Sequence, residues 1–429
     1  MDEISARPRL SLCMIVKDEV NCLQRCIDSV KDIVDEIVIV DTGSTDGTLD
    51  LAKRYASTMA HIAWIDDFSY ARNISIDMAT GDWILILDAD NYIKNEFCSY
   101  LLQLITKPNM LAYQLMIRDH YDGIYCDLYL NTRLFRRMPS VMYTGRVHEQ
   151  VTPSLLEIVK SDPTWRCDIL KNIIIEHDGY MQQRIKEDKR SRNISLLTKA
   201  LEDDPSDIYR RYRLALALGA QTDIGFHHLS IALEALLHLS HQEIQERAFA
   251  HELMGNVALS LVGGKEPKKA LQICAVAESL FSNHPVLSFV KALSYYLTQN
   301  FDKSLSSANE ALAMGWPPGS FVCNPNRLRE DIYLLISRLL RKRGEHSWAV
   351  NTLRKAVAEF PDSRRLIHAL IRSALAVKMP WVALDEGAKW MKSNGVDTEC
   401  LLLCADAAEM HGEASSAARW RSWAGKSAA

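Results

Sequence analysis

Glu36 to Thr48 reads EIVIVDTGSTDGT, and Asp82 to Tyr92 reads DWILILDADNY. Ile37 to Val40 and Trp83 to Leu87 are short, continuous apolar runs rich in Val, Ile and Leu, as expected for parallel strands buried on both faces. Each run ends in acid: Asp41 in the first, Asp88 and Asp90 in the second. Ligands of open α/β sheets bind outside the carboxyl ends of strands, so carboxylates placed there can reach a ribose or a cation instead of entering the core. The pairing points to a nucleotide diphosphate held through a metal.

Outward from these stretches, strand-like and helix-like runs alternate. Leu10 to Val16, Ile37 to Val40, Ile62 to Ile65 and Trp83 to Leu87 are the expected strands, and Cys22 to Lys31, Thr48 to Tyr55 and Tyr70 to Ala79 the expected helices. Such a βαβ series implies right-handed crossovers and a Rossmann-like, mostly parallel sheet. From Arg184 onward amphipathic helices follow one another, broken at Asp204-Pro205, Asn283-His284-Pro285 and Phe360-Pro361-Asp362. Ala349, Ala383 and Ala417 recur every 34 residues, and Gly344 and Gly412 stand two such steps apart. That period is the tetratricopeptide one, where small residues let paired helices approach closely. Trp316-Pro317-Pro318-Gly319 interrupts the phase. The expected division is an α/β domain over 8–183 and an all-α, tetratricopeptide-like domain over 184–429.

A chain of 429 residues with net charge −4 has room for two or three domains and lacks the basic field of a nucleic-acid binder. No apolar stretch approaches the roughly 20 residues that span a bilayer, and MDEISARPR has no secretory apolar core, so a cytoplasmic location is expected. The ten cysteines are scattered. Cys22/Cys26 and Cys400/Cys404 have helical i,i+4 spacing, not CxxC metal spacing, and read as reduced, buried thiols.

Within DTGSTDGT the two glycines permit a tight turn and close approach to a ligand, and Asp41 can accept a hydrogen bond from a base or ribose. The bland alternative is a Gly/Asp turn that caps the next helix. No GxGxxG or GxxxxGK[ST] is present, which disfavours a dinucleotide-binding domain and a P-loop NTPase. Asp88 and Asp90 alternate on an extended segment, so both carboxylates can face one hard cation that bridges two phosphates. Mg2+ or Mn2+ there would offset the charge of a departing diphosphate.

With LCMIVKDE (Leu12 to Glu19), FSYARN (Phe68 to Asn73), RLFRR (Arg133 to Arg137), GRVHEQ (Gly145 to Gln150) and HDGY (His177 to Tyr180), the N-terminal part resembles inverting family 2 glycosyltransferases of the GT-A fold. With its helical C-terminus it is similar to the sublancin-type peptide glycosyltransferases, which modify Cys or Ser. The resemblance implies a UDP-sugar donor, a peptide or protein acceptor and a homodimer. It assigns Asp41 to the nucleoside with Asp46 beside it, Arg72 to the base or diphosphate, and Asp88 to the ribose. Asp90 and His177 become metal ligands. Asn91 stands where an acidic residue is common, and Asp178 where an aromatic is.

An inverting transfer is one in-line displacement, so a base must stand beside the acceptor. Glu149 is the choice by resemblance and His148 the alternative, since an imidazole titrates near neutrality. The bland reading makes the pair an ionic support for Arg146. Arg133, Arg136 and Arg137 face either phosphate or solvent. Other classes stay open: a transferase of surface polysaccharide or lipid-linked glycan assembly, a nucleotidyltransferase, or a repeat scaffold on an inactive domain. A nucleotidyltransferase would carry an early basic phosphate signature, and only Lys17 offers one. An inactive scaffold would have shed Asp90 or His177.

Overall fold

Leu10–Val16 forms β1, with Leu12 and Met14 packed on one face of the sheet and Cys13 on the other, all three fully buried. Burial on both faces is why the run is apolar without alternation. The computed structural model describes residues 7–121, 124–177, 183–247, 249–282, 284–314 and 325–427. Asp178 to Tyr180 of HDGY, Asn283 and the Trp316-Pro317-Pro318-Gly319 interruption lie outside the described residues.

The chain continues through α1 (Leu23–Asp28), β2 (Glu36–Asp41), α2 (Thr48–Tyr55), β3 (Thr58–His61), α3 (Phe68–Met78), β4 (Trp83–Ile86), β5 (Asn91–Ile93), α4 (Asn95–Leu104), β6 (Met110–Tyr121), β7 (Ile124–Arg136), α5 (Thr152–Ser161) and β8 (Arg166–His177). One sheet holds all eight strands in the order β3-β2-β1-β4-β7-β6-β8-β5. The first four are mutually parallel, as expected of the βαβ series. Beyond β4 the sheet is mixed: β7 runs against β4 and β6, β8 runs with β6, and β5 runs against β8. Only β7 and β5 are reversed.

One expected strand is displaced. The strand beside β2 is Thr58–His61, not Ile62 to Ile65, with Val38 opposite Thr58 and Asp41 opposite His61. It is an edge strand, half-exposed along its length, so its register follows the ladder with β2 and leaves no apolar run to read.

Two cores flank the sheet. Leu12, Ile39, Trp83 and Leu85 pack with Leu23 and Ile27 of α1 and with Leu101 and Leu104 of α4. On the other face Cys13, Val38, Ile84 and Phe135 pack with Ile76 of α3 and Leu155 of α5. Among the described cysteines Cys167 is exposed and Cys22 half-buried; Cys13, Cys26, Cys98, Cys274, Cys400 and Cys404 are buried, and all are free.

Among the described residues strands stop at His177, and helices follow from α6 (Gln183–Asp203), α7 (Ile208–Leu218) and α8 (Asp223–Leu237). The compact unit that contains the sheet runs on to His238, so these three helices belong to it. Their anchor is an apolar cluster of Leu196, Leu197, Leu201 and Leu214 with Val147, against which Trp64 and Phe68 pack.

The second unit begins at Leu239. Its paired helices are Ala250–Gly263 with Pro267–Leu280, Pro285–Leu297 with Phe301–Ala313, Pro325–Lys342 with His346–Glu359, Arg364–Ala376 with Pro380–Asn394, and Thr398–Met410 with Ala414–Ser427. Ala349, Ala383 and Ala417 occupy matching buried positions on second helices. The turn inside each pair has one residue in the left-handed region: Lys265, Gln299, Gly344, Lys378 and Gly412. The first two are 34 residues apart and so are the last three in succession; the step from Gln299 to Gly344 is 45. No described helix is long and apolar enough to cross a membrane.

Leu197 is fully buried in the cluster that ties α6 to the sheet-bearing unit. Leu197→Ala should lower the unfolding free energy by about 2–5 kcal/mol, read as a shifted denaturation midpoint at unchanged slope.

Candidate active site

The DTGSTDGT loop follows β2, and its glycines do what the sequence suggested: Gly43 and Gly47 both have positive φ, 106° and 97°. Asp41 is fully buried. Its Oδ1 accepts from the Gly43 and Ser44 amides at 3.0 and 3.1 Å and stands 2.7 Å from His61 Nδ1. Burial works against its charge, but Ser44, Gly43 and His61 hold its carboxyl below the usual range. Asp46 is exposed and bonds the Thr48 amide at 2.9 Å and the Val20 amide at 3.2 Å. It thereby satisfies the first amide of α2 and ties the loop to the segment after β1.

Arg72, Asp88 and Glu149 form one linked group. Asp67 caps α3 through the Tyr70 amide at 3.0 Å, which fixes Arg72 just inside the helix, only 5% exposed. Arg72 Nε donates to Glu149 Oε1 at 2.5 Å and Nη2 to Asp88 Oδ1 at 2.6 Å. The other oxygen of Asp88 accepts from Arg133 Nη2 at 2.8 Å. Burial opposes ionisation of Asp88, yet the Arg133 and Arg72 guanidinia hold its carboxyl well below the usual range. Tyr143 lies under Arg72, 5.6 Å from ring centroid to guanidinium.

Of the three arginines of RLFRR, only Arg133 reaches this group. Arg136 donates to the Met110, Lys107 and Pro108 carbonyls and covers the Trp83 ring, and Arg137 donates to the Gly81 carbonyl. The ionic support imagined for Arg146 is also redirected. Arg146 pairs with Asp203 at 2.8 Å, and Glu149 pairs with Arg72.

Asp90 and His177 meet next to this group. Asn91 of β5 lies opposite His177 of β8 in an antiparallel ladder, which brings His177 Nε2 to 3.1 Å from Asp90 Oδ2. The other ring nitrogen of His177 is held by Asp119 Oδ1 at 2.6 Å, and Lys189 Nζ lies 3.7 Å from Asp90. A carboxylate on the far nitrogen is the usual arrangement for an imidazole that binds metal, fixing tautomer and ring orientation. No cluster of three or more acidic, His or Cys ligands occurs among the described residues. The pair nevertheless suits a cation carried with a diphosphate, because magnesium-like ions take one or two protein ligands and complete their shell with phosphate and water. Arg72 Nη1 and Arg133 Nε are buried without a hydrogen-bond partner, which suits donors for anionic oxygen.

His148 is not part of either group. It sits at φ 53°, and Arg213 Nη2 of α7 lies 3.1 Å from its Nδ1. Burial, reinforced by Arg213 and Arg192, pushes its pKa down to about 3. Asp119, Lys189 and Arg213 were not singled out from sequence. They lie on β6, α6 and α7, Lys189 and Arg213 in basic runs that read as solvated helix faces, and only pairing in space brings them in.

The His177 contacts make a pH prediction. Burial alone would lower its pKa, but the hydrogen bonds to Asp119 and Asp90 more than reverse this and raise it from 6.5 to about 10. The folded chain then holds a proton that the unfolded chain releases, so this stabilisation is full below the unfolded pKa and is lost as pH rises through the folded one. In metal-free protein, urea unfolding at about pH 6 and about pH 9 should show wild type losing stability between them, with His177→Gln losing less.

Residues 11–148 match the family model described as glycosyl transferase family 2. A TPR repeat-containing protein of Synechococcus elongatus is 36% identical over 258 residues, 59% of this chain and 62% of that protein. The SPbeta prophage-derived glycosyltransferase SunS of Bacillus subtilis is 30% identical over 210 residues, 48% of each chain. An uncharacterized glycosyltransferase of Rickettsia prowazekii is 30% identical over 179 residues, 40% of this chain and 61% of its own. The chain thus spans about half to three-fifths of the length of these relatives. With the parallel β1–β4 core, the acidic strand ends and the paired helices of matching phase, these likenesses identify a glycosyl transferase family 2 domain of GT-A type in the N-terminal part of the chain, followed by a tetratricopeptide-like helical array.

Proposed function

We propose that the protein is an inverting glycosyltransferase that moves a sugar from a UDP-sugar onto a peptide or protein side chain, Cys or Ser, with Glu149 as the base. The observation that carries this reading is the shared guanidinium of Arg72, bonded at once to Glu149 and to Asp88. One side of Arg72 meets the carboxylate assigned to the donor's ribose, and the other meets the carboxylate assigned to the acceptor's proton. Asp41, with Asp46 beside it, takes the nucleoside.

Asp90 and His177 would hold Mg2+ or Mn2+, which offsets negative charge on the departing diphosphate. Arg72 and Arg133 add two buried cations on the same side. Glu149 accepts the acceptor's proton while the acceptor's sulfur or oxygen bonds to the anomeric carbon and the carbon–diphosphate bond breaks, inverting that centre. Glu149 is preferred to His148 because the imidazole, pushed to a pKa of about 3, holds a proton poorly at neutral pH.

The helical array favours a peptide acceptor, since stacked helix pairs of this kind offer surfaces for extended or helical segments. A cytoplasmic setting agrees with the free thiols, which persist where glutathione and thioredoxin keep cysteine reduced.

The test is a panel of nucleotide sugars incubated with the protein and followed by mass spectrometry for hydrolysis or transfer. A UDP-sugar should be consumed, and excess EDTA or Asp90→Ala should abolish its turnover; undiminished turnover in EDTA would rule out the metal. Glu149→Gln keeps volume and leaves Arg72 paired with Asp88. It should bind UDP normally and turn over about 100- to 10,000-fold more slowly. Raising the pH should partly rescue it if the acceptor is a thiol, which ionises near pKa ~8.5. Wild-type turnover at neutral pH would move the base role to another residue.

A further inference from the structure

We propose that Arg213, on α7, is a positioning residue for the transfer: it holds His148 in the left-handed conformation that turns Glu149 towards Arg72. The inference rests on the reading of Glu149 as the base.

The segment Thr144 to Gln150 is a closed turn, with Thr144 and Gln150 exchanging both backbone hydrogen bonds at 3.0 Å. Inside it the chain must reverse, and two residues take positive φ: Gly145 at 107° and His148 at 53°. Glycine adopts this region freely. A side chain with a Cβ does so at a steric cost that its surroundings offset.

The surroundings come from α6 and α7. Arg146 Nε is paired with Asp203 at the end of α6, and its carbonyl accepts from the Phe68 amide at the start of α3, at 2.8 Å. Val147 is buried among Leu196, Leu197, Leu201 and Leu214. Arg213 Nη2 lies 3.1 Å from His148 Nδ1 and 3.5 Å from its Nε2, and the low pKa keeps the imidazole neutral, so that one ring nitrogen can accept from the guanidinium. Three successive residues are thus fastened to α6 and α7, and the fourth, Glu149, is delivered to Arg72 at 2.5 Å.

Arg146 is held through its guanidinium and its carbonyl, and Val147 by apolar packing; none of these contacts is made by the His148 side chain. The polar contact of His148 itself is with Arg213. Without Arg213 the turn can relax to negative φ at His148, and Glu149, the next residue, would swing with it. Misplacing a reacting group by about 1 Å can cost on the order of 100-fold in rate.

The experiment uses the full chain and the UDP-sugar found in the panel, with water as acceptor, and measures UDP affinity separately. Arg213→Met should reduce kcat about 10- to 100-fold with UDP affinity unchanged, and Arg213→Lys, which keeps a donor for the imidazole, should recover most of the loss. Arg213→Met combined with Glu149→Gln should be no slower than Glu149→Gln alone, because residues acting through one group are not additive. Normal kcat in Arg213→Met beside an impaired Glu149→Gln would overturn the positioning role and leave the base reading intact. Multiplying losses in the double variant, or equal loss of UDP binding and thermal stability in both Arg213 variants, would also overturn it. Normal turnover in Glu149→Gln would sink the base reading itself, and this proposal with it.

Discussion

Arg72 is a buried cation that two carboxylates share, and the arrangement of the site follows from that constraint. A buried charge is tolerated only when it is paired and hydrogen-bonded, and removing one partner of such a pair costs about 3–5 kcal/mol. Here the partners come from distant parts of the chain: Asp88 just past β4, and Glu149 from the turn ahead of α5. Asp88 in turn needs its second oxygen satisfied, and Arg133 supplies this from β7. The reversed strand next to β4 therefore has a chemical as well as a topological role. It brings a second buried guanidinium to the carboxyl end of a parallel strand.

The same logic explains which parts were legible in the sequence. β1, α2 and β4 could be read from residue type because both faces of those strands are buried and α2 begins at a Gly/Asp turn. β3 could not, because an edge strand takes its register from its neighbour. The strands from Met110 to His177 also escaped the reading, as their pairing is long-range and mixed in direction. At the site, the acidic strand ends announced Asp41, Asp88 and Asp90, whereas Asp119 and Arg213 have no local signal. Their importance lies in holding an imidazole, His177 by its second nitrogen and His148 through a guanidinium, and such a role is visible only when the partner is seen.

In the helical half the alanine period was visible only after the interruption. The left-handed positions carry it further back, to Lys265 and Gln299. Two of the five turns use glycine and three use Lys or Gln, so a search for glycine finds only Gly344 and Gly412. Backbone geometry here repeats more faithfully than residue identity, because the helix-pair turn demands a left-handed residue that several long polar side chains can supply at modest cost.

His148 joins these two themes. Like Lys265 or Gln299 it is a non-glycine residue at positive φ, but the helix-pair turns are half-exposed or exposed and need only reverse the chain. The turn at His148 must also aim its neighbour at a buried cation. Any drift there would leave Arg72, only 5% exposed, with a single carboxylate. The ion pair with Arg72 and the contact from Arg213 therefore act on the same few backbone torsions from opposite sides. The helices α6 and α7, which from sequence look like the start of a repeat array, pack in the structure as part of the sheet-bearing unit. An insertion or loss between α6 and α7 would shift Arg213 relative to the turn, so the strand-to-helix change near residue 183 is a change of secondary structure that the electrostatics of the site spans.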